Sequence, residues 1–209
     1  GLLKISKPAD SGGPNVDTKA GVKSKFFLVG DFTVSYYYSL PVWPHPGSGY
    51  NLARIYFYGQ DSGGWGYTVG RHNLRGNSSV GDAWECTHFR AIQNGTNTLI
   101  GVGDNYPDTA NNSYLIRREN GVLSAFVNHG SGLISLGSVS DPYDNKPVCF
   151  EMVAQQGVRP TGYRSFSSLD VRYSNLTVTA DSIIPEPATL LLFGLGAVML
   201  RRKRSCTSP

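Results

Sequence analysis

The sequence predicts an all-β fold followed by one C-terminal hydrophobic helix, and three observations lead to this fold class. Of the 209 residues, 25 are glycine and 12 are proline, a composition typical of a chain with many turns. Aromatic residues make up 11% and charged residues only 16%, which favours strands over helices. Short aromatic and β-branched runs recur between turn clusters, without a helical period before residue 185. This spacing predicts a β-sandwich or barrel, and we expect a jelly roll.

The predicted elements follow in chain order. Residues 1–24 are polar and rich in glycine, and we expect a flexible lead-in or one edge strand there. Residues 25–180 are expected to form a single sandwich domain, because about 180 residues suit one core better than two. The predicted strands of this domain are Phe26–Val29, Phe32–Leu40, Leu52–Tyr58, Gly66–Arg71, Glu85–Ile92, Tyr114–Arg118, Val122–Asn128, Ile134–Val139, Val148–Gln155 and Leu169–Thr179.

The clearest local prediction is a hairpin at Asn120-Gly121. This pair lies between the predicted strands Tyr114–Arg118 and Val122–Asn128. Asn-Gly readily takes the positive φ angles that a two-residue hairpin turn requires. We therefore expect these two strands to be antiparallel neighbours.

The segments within residues 181–209 follow the order that is typical of a membrane anchor. Pro185, Glu186 and Pro187 precede the uncharged run 188–200, and Arg201, Arg202, Lys203 and Arg204 follow it. A helix that is apolar all round belongs in a core or in lipid, and cations beside a span mark its cytoplasmic side. The run is short, because 13 residues span roughly 20 Å against about 30 Å of hydrocarbon. A buried core helix is the alternative, but a terminal basic cluster favours the anchor, with the preceding residues outside the cytoplasm.

This tail resembles the PEP-CTERM sorting signal of Gram-negative bacteria in its motif, spacing and terminal position. The resemblance implies recognition of Pro185, Glu186 and Pro187 by an exosortase, a membrane cysteine protease-transpeptidase. It also implies release to the cell envelope, the surface or an exopolysaccharide matrix. Because export needs an N-terminal signal and the chain opens Gly-Leu-Leu-Lys, we expect a truncated or processed N-terminus.

Charge and cysteine content narrow the possible partners. Residues 185–209 hold four of the 19 cations and one of the 15 anions, so residues 1–184 are nearly neutral and nucleic acid is not an expected partner. Cys86 and Cys149 would both lie on the oxidising side and could form a disulfide, or they could be two unrelated buried thiols. Cys206 follows the basic cluster and is expected to face the reducing cytoplasm before processing.

The sandwich itself is similar to the concanavalin A-like lectin/glucanase domains. The similarity rests on Gly30–Val34, on Tyr114–Gly121 with Ala125–Val127, and on Leu169–Val178. In that family the opening strand pairs with the closing strand, and a middle hairpin crosses the concave sheet. This chain has Leu133-Ile134 where relatives often place a tryptophan.

Catalytic patterns are scarce in the sequence. Hydrolytic relatives carry Glu-x-Asp-x-x-Glu on one strand, whereas Glu85, Glu119 and Glu151 have no acid two or four residues away. Carboxylates from separate strands, such as Glu85 and Glu151, are the alternative. His45, His72, His88 and His129 stand singly, which predicts solvated or hydrogen-bonded histidines. No Gly-x-Ser-x-Gly motif occurs.

Two binding hypotheses remain. Asp104 and Asp108 lie in an oxygen-rich loop, 104–112, which could hold calcium or could be a plain turn; no other cofactor is expected. Sugar rings stack on exposed aromatic side chains while polar groups fix the hydroxyls. The residues expected to bind such a ligand are Trp43, Trp65, Tyr67, Trp84, Arg71, Arg117 and Asn128.

Together these patterns predict an exported, non-catalytic domain that binds carbohydrate or an exopolysaccharide component. A glycan-active hydrolase and a purely structural matrix protein are the alternatives.

The tail generates a first testable prediction. Replacing residues 201–204 with neutral residues is expected to weaken membrane retention and to disturb orientation, because the cations resist transfer across the bilayer. Protease accessibility of the domain in intact and permeabilised cells measures the orientation. An unchanged topology would contradict the positive-charge argument.

Overall fold

The structure is a computed structural model that describes residues 1–7, 18–43, 49–59, 65–77, 81–94, 96–103, 112–141, 143, 145–157 and 168–186. Within these ranges the secondary structure consists of β-strands. They are β1 (Leu2–Lys7), β2 (Thr18–Lys23), β3 (Phe26–Val42), β4 (Gly49–Gly59), β5 (Gly66–Asn77), β6 (Gly81–Gln93), β7 (Thr96–Gly103), β8 (Asn112–Glu119), β9 (Val122–Asn128), β10 (Leu133–Ser140), β11 (Val148–Gly157) and β12 (Leu169–Pro185).

The strands form two antiparallel layers. The first layer has the order β1-β12-β3-β8-β9-β10, and the second has the order β2-β11-β4-β5-β6-β7. The two layers are hydrogen-bonded to each other at one point, where Leu28 of β3 pairs with Val148 of β11. At the edge strands β7 and β10 the layers also approach closely, because a Cβ on Gly101 of β7 would meet the carbonyl oxygen of Leu136 on β10, so this position requires glycine. The result is a nearly closed, jelly-roll-like all-β fold, as the sequence predicts.

The core lies between the layers and follows from two-residue alternation. Along β3 and β8 every second residue is buried, including Val34 and Ile116, which are fully buried. Ile55, Phe57 and Val69 of the second layer are also fully buried. The rings of Phe32 and Phe57 stack across the layers with centroids 5.7 Å apart, a contact worth about 0.5–1.5 kcal/mol beyond burial.

A buried ion pair closes one end of the sandwich. Arg118 on β8 and Asp141 after β10 lie 3.3 Å apart, with side chains 0% and 1% exposed. Arg118 also donates from Nε to the Gly30 carbonyl at 2.8 Å, and its guanidinium lies 4.6 Å from the Phe32 ring centroid. Asp141 accepts a hydrogen bond from the Tyr67 hydroxyl of the second layer at 2.8 Å. This cluster therefore joins both layers through charge-assisted contacts.

Several boundaries differ from the sequence predictions. The lead-in contributes two edge strands, β1 on the first layer and β2 on the second. Phe26–Val29 and Phe32–Leu40 belong to one strand, because the chain passes through Gly30 at φ +72° without leaving the sheet. β7 was not predicted, because Asn94-Gly95 and the polar residues after it have the composition of a turn.

The last strand runs past the predicted domain end at residue 180. β12 pairs with β3 as far as Pro185, opposite Phe26. The Glu186 backbone N–H donates to the Lys25 carbonyl at 3.1 Å, and the Glu186 carboxylate lies 4.0 Å from the Lys23 ammonium. Among the described residues no helix is long and apolar enough to cross a membrane. The expected helix over 188–200 and its basic flank lie outside those residues.

The predicted hairpin is confirmed. β8 and β9 are antiparallel neighbours, and Asn120 and Gly121 between them have φ angles of 50° and 71°. Positive φ at both positions is the requirement of a type I′ turn.

This turn gives a stability prediction. Gly121→Val is expected to lower the free energy of unfolding by about 1 kcal/mol or more, because a β-branched residue resists positive φ. Chemical denaturation measures the change. Asn120→Gly is the control, since glycine takes positive φ freely and should leave stability unchanged or raise it. An unshifted Gly121→Val variant would contradict the role of this backbone geometry.

Candidate functional site: the outer face of the second layer

Residues that alternate with the core on β2, β4, β5, β6 and β11 form the outer face of the second layer, called here the second-layer face. Because Ile55 and Phe57 are part of the core, Arg54, Tyr56 and Tyr58 lie on the opposite side of β4. Strand register then identifies the positions on neighbouring strands that share this side. The polar and aromatic members are Lys19, Lys23, Tyr50, Arg54, Tyr56, Tyr58, Thr68, His72, Cys86, His88, Arg90, Cys149, Glu151 and Gln155.

The end of this face near β2 combines aromatic rings with cations. The rings of Tyr56 and Tyr58 are 5.3 Å apart between centroids. The Lys23 ammonium lies 5.2 Å from the Tyr58 centroid, and the Arg54 guanidinium lies 5.8 Å from that of Tyr56. Burial raises the pKa of both tyrosines, so their hydroxyls are neutral donors at neutral pH. Lys19 pairs with Glu151 at 2.6 Å beside them.

Amide and guanidinium groups continue the face along β4 and β11. Arg54 donates from one terminal nitrogen to Gln155 Oε1 at 2.8 Å. Gln155 donates in turn from Nε2 to the Tyr50 hydroxyl at 3.3 Å. This series of hydrogen bonds holds the Arg54 guanidinium in one orientation beside the tyrosine rings.

The end of the face near β6 is buried and holds two histidines and a thiol. His72 lies directly opposite Cys86 in the β5–β6 register, and Cys86 and His88 alternate on β6. One ligand atom from each of the three residues lies within 4.8 Å of the others. The His72 and His88 ring centroids are 5.5 Å apart. Burial, reinforced by the charges of His72, Arg90 and Arg54, holds the pKa of His88 well below its ordinary value, so its imidazole is neutral.

The sequence contains a signal for this cluster that the single-histidine interpretation missed. In Cys86-Thr87-His88 the first and third residues lie on one face of any strand. The histidines His72 and His88 therefore do not stand singly in the fold. Their proximity also required the β5–β6 register, which local sequence patterns do not determine.

Most residues expected to stack on sugar instead lie in the interior. Trp43, Trp65 and Tyr67 are 8%, 4% and 2% exposed and belong to the core. Trp65 stacks on Tyr143 at 4.2 Å. Arg71 is 1% exposed and occupies the core side of β5, opposite Ala53. A stacking or hydroxyl-binding role, which requires exposure, does not fit these positions.

The other predicted contacts lie on the first layer or outside the description. Arg117 is exposed, pairs with Glu119 at 3.4 Å and lies 6.0 Å from the Phe126 centroid. Asn128 accepts hydrogen bonds at Oδ1 from the backbone N–H groups of Gly130 and Gly132, so it shapes the β9–β10 turn. The side chain of Trp84 and the residues 104–111 of the proposed calcium loop lie outside the described part of the chain.

Strand order corrects two proposed pairings. Cys86 and Cys149 do not form a disulfide, because three strand steps and six residues of register separate β6 from β11 at these positions, well over 7 Å. Glu85 and Glu151 are likewise three strand steps and five residues of register apart. Their separation of roughly 20 Å is too large for the two acids of a glycosidase, which need about 5–9 Å.

A second polar cluster lies between the layers at the end of β8. Asn112 donates from Nδ2 to the Tyr38 hydroxyl at 3.2 Å, and the Tyr114 hydroxyl lies 3.4 Å from both Tyr38 and Thr87 oxygens. His129 Nδ1 lies 2.8 Å from Asn112 Oδ1, which can only accept, so the imidazole donates. Burial and the charge of Arg71 lower the pKa of His129 to about 4.

A family comparison confirms the predicted sorting motif. Residues 184–204 match the PEP-CTERM protein-sorting motif. This motif implies that the protein is exported, sorted and processed by an exosortase. No curated protein matches the sequence.

Solved structures share the fold of the remaining chain. A functionally unknown protein from Saccharomyces cerevisiae is similar with a TM-score of 0.57 at 14% identity, covering 87% of this chain and 89% of that one. A mutant alginate lyase Aly36B in complex with alginate trisaccharide gives 0.55 at 8% identity, over 87% and 82%. A structure from work on endo-acting O-glycanases that human gut microbiota express to initiate mucin breakdown gives 0.57 at 12% identity, over 88% and 80%. At these identities the likeness establishes the fold alone.

His129 gives a prediction for pH dependence. The unfolded chain binds a proton at this residue near pH 6.5, whereas the folded chain does so near pH 4. Between these values the unfolded state binds more protons, so the free energy of unfolding is expected to fall as pH decreases. In His129→Gln this fall should be smaller, as measured by urea denaturation across the interval. Identical pH slopes in the two proteins would contradict the neutral state of the partly buried imidazole.

Proposed function

We propose that this protein is an exported, non-catalytic domain that binds acidic polysaccharide on the second-layer face, at the end near β2. The single observation that carries the proposal is the grouping of Tyr56 and Tyr58 with Arg54 and Lys23. Flat rings and cations lie side by side there on a half-exposed sheet surface. The tyrosine rings offer stacking surfaces for sugar, and the cations offer partners for uronate carboxylates.

Charge on these strands favours an acidic ligand over a neutral one. Among the described side chains of β2, β4 and β11, the cations Lys19, Lys23 and Arg54 outnumber the one carboxylate, Glu151. Glu151 is already paired with Lys19 at 2.6 Å. Lys23 and Arg54 are two strand steps and two residues of register apart, roughly 12 Å, so a polyanionic chain that crosses the strands diagonally would meet both cations. The similarity of fold to an alginate lyase bound to an alginate trisaccharide agrees with this class of ligand.

The non-catalytic assignment rests on the carboxylates. Of the glutamates named as possible acids, Glu85 and Glu151 lie far apart on the sheet, and Glu119 is on the first layer beside Arg117. No described pair among these three has the spacing that glycoside hydrolysis requires. The sorting motif supports export of such a binding domain, and the envelope or an exopolysaccharide matrix is its proposed location.

Binding to alginate, as an available polyuronate, tests the proposal. Lys23→Gln is expected to weaken binding about 3- to 5-fold at low ionic strength, because one exposed cation is lost. Tyr58→Leu is expected to weaken it at least about 3-fold by removing a stacking surface. Calorimetry or affinity electrophoresis with alginate and with a neutral glucan measures both the effect and the preference.

Arg117→Gln is the matched control, since Arg117 is also an exposed cation near an aromatic ring, but on the first layer. Its affinity should equal that of the wild type. The proposal would be contradicted if the wild type did not bind alginate, or if all three variants lost affinity equally. Either result would favour a structural matrix protein. Release of unsaturated or reducing ends during incubation would contradict the non-catalytic assignment.

A further inference from the structure

We propose that His72, Cys86 and His88 form a three-ligand site for a thiophilic transition metal such as Zn²⁺. This site lies at the buried end of the second-layer face, apart from the tyrosine and lysine cluster near β2. It stands independently of the polysaccharide proposal.

The ligand set fits such a metal. Two imidazole nitrogens and one thiolate are the donors that zinc and copper prefer, whereas calcium and magnesium take oxygen ligands. One donor atom from each residue lies within 4.8 Å of the other two. Around a tetrahedral zinc ion, at bond lengths of about 2.0–2.3 Å, donor atoms are about 3.5 Å apart. Binding would therefore require the donor atoms to approach one another by about 1 Å.

The backbone holds these donors rigidly. His72 and Cys86 face each other across one β5–β6 pair, and His88 is two residues beyond Cys86 on the same side. Both strands lie inside the second layer, since β4 flanks β5 and β7 flanks β6. Three ligands from two central, hydrogen-bonded strands form a site before the metal arrives, which lowers the ordering cost of binding.

Two of the three donor residues are buried, so their donor atoms are accessible to a bound metal ion but hardly to solvent. Cys86 and His88 are each 1% exposed. His88 Nδ1 is buried without a hydrogen-bond partner among the described residues, although a buried imidazole nitrogen normally has one. A coordinated ion would satisfy it.

The other buried cysteine of this face provides an internal contrast. Cys149 is also 1% exposed on the second-layer face, but its thiol donates to the Tyr58 carbonyl at 3.5 Å. It belongs to no described group of three metal-binding side chains. Cys149 is therefore a buried thiol on the same face that lies outside the proposed site, which makes it a matched control for Cys86.

Cobalt substitution of the full-length chain, in detergent and reductant, tests the site. One Co²⁺ per chain is expected to bind, with a thiolate-to-cobalt charge-transfer band in the near ultraviolet and the strong visible bands of tetrahedral cobalt. Zn²⁺ should displace it stoichiometrically. Cys86→Ser should abolish the charge-transfer band, and His72→Gln or His88→Gln should weaken Zn²⁺ affinity by at least ~100-fold. Cys149→Ser, the matched control, should bind like the wild type.

X-ray absorption on the zinc-loaded wild type keeps the proposal testable if a variant fails to fold. One sulfur near 2.3 Å and nitrogen donors near 2.0 Å are expected. A shell of oxygen and nitrogen only, no stoichiometric binding, a charge-transfer band that survives Cys86→Ser, or a band lost in Cys149→Ser would each overturn the site.

Discussion

Two-residue alternation along the strands of the second layer is the constraint on which the core and the outer face both depend. Each of β4, β5, β6 and β11 places one set of side chains against the first layer and the other set on the opposite side. Ile55 and Phe57 are fully buried in the core because of this alternation, and Arg54 and Tyr56 are excluded from it for the same reason. A register slip of one residue would exchange these two sets.

The second-layer face changes character along its length. Near β2 the side chains are half-exposed and combine tyrosine rings with cations, whereas near β6 they are buried and combine imidazole with thiol. The flat, solvent-exposed end near β2 suits an extended polymeric ligand. The buried donor atoms near β6 suit a single metal ion. One sheet surface therefore offers two kinds of chemistry that differ mainly in access to water.

Local sequence patterns predicted most of the strands and the β8–β9 hairpin, because both depend on neighbouring residues, whereas β1, β2 and β7 were missed. The bounds of β9 agree with the prediction, and the Asn120-Gly121 turn has the expected φ angles. The site depended on distant pairings that such patterns do not encode. Trp65 and Tyr67 follow a glycine-rich segment and appeared accessible, yet tertiary contacts with Tyr143 and Asp141 bury them. Cys149 and Cys86 appeared able to pair because strand order is invisible in sequence.

The passage from sandwich to sorting motif has a consequence for processing. β12 pairs with β3 through Pro185, and the Glu186 N–H is bound to the Lys25 carbonyl at 3.1 Å. No spacer therefore separates the folded domain from the Pro-Glu-Pro sequence. An enzyme that binds this motif must either act in direct contact with the sandwich or first separate the last paired residues of β3 and β12. Processing of the tail is thereby coupled to how firmly the end of β12 is held against β3.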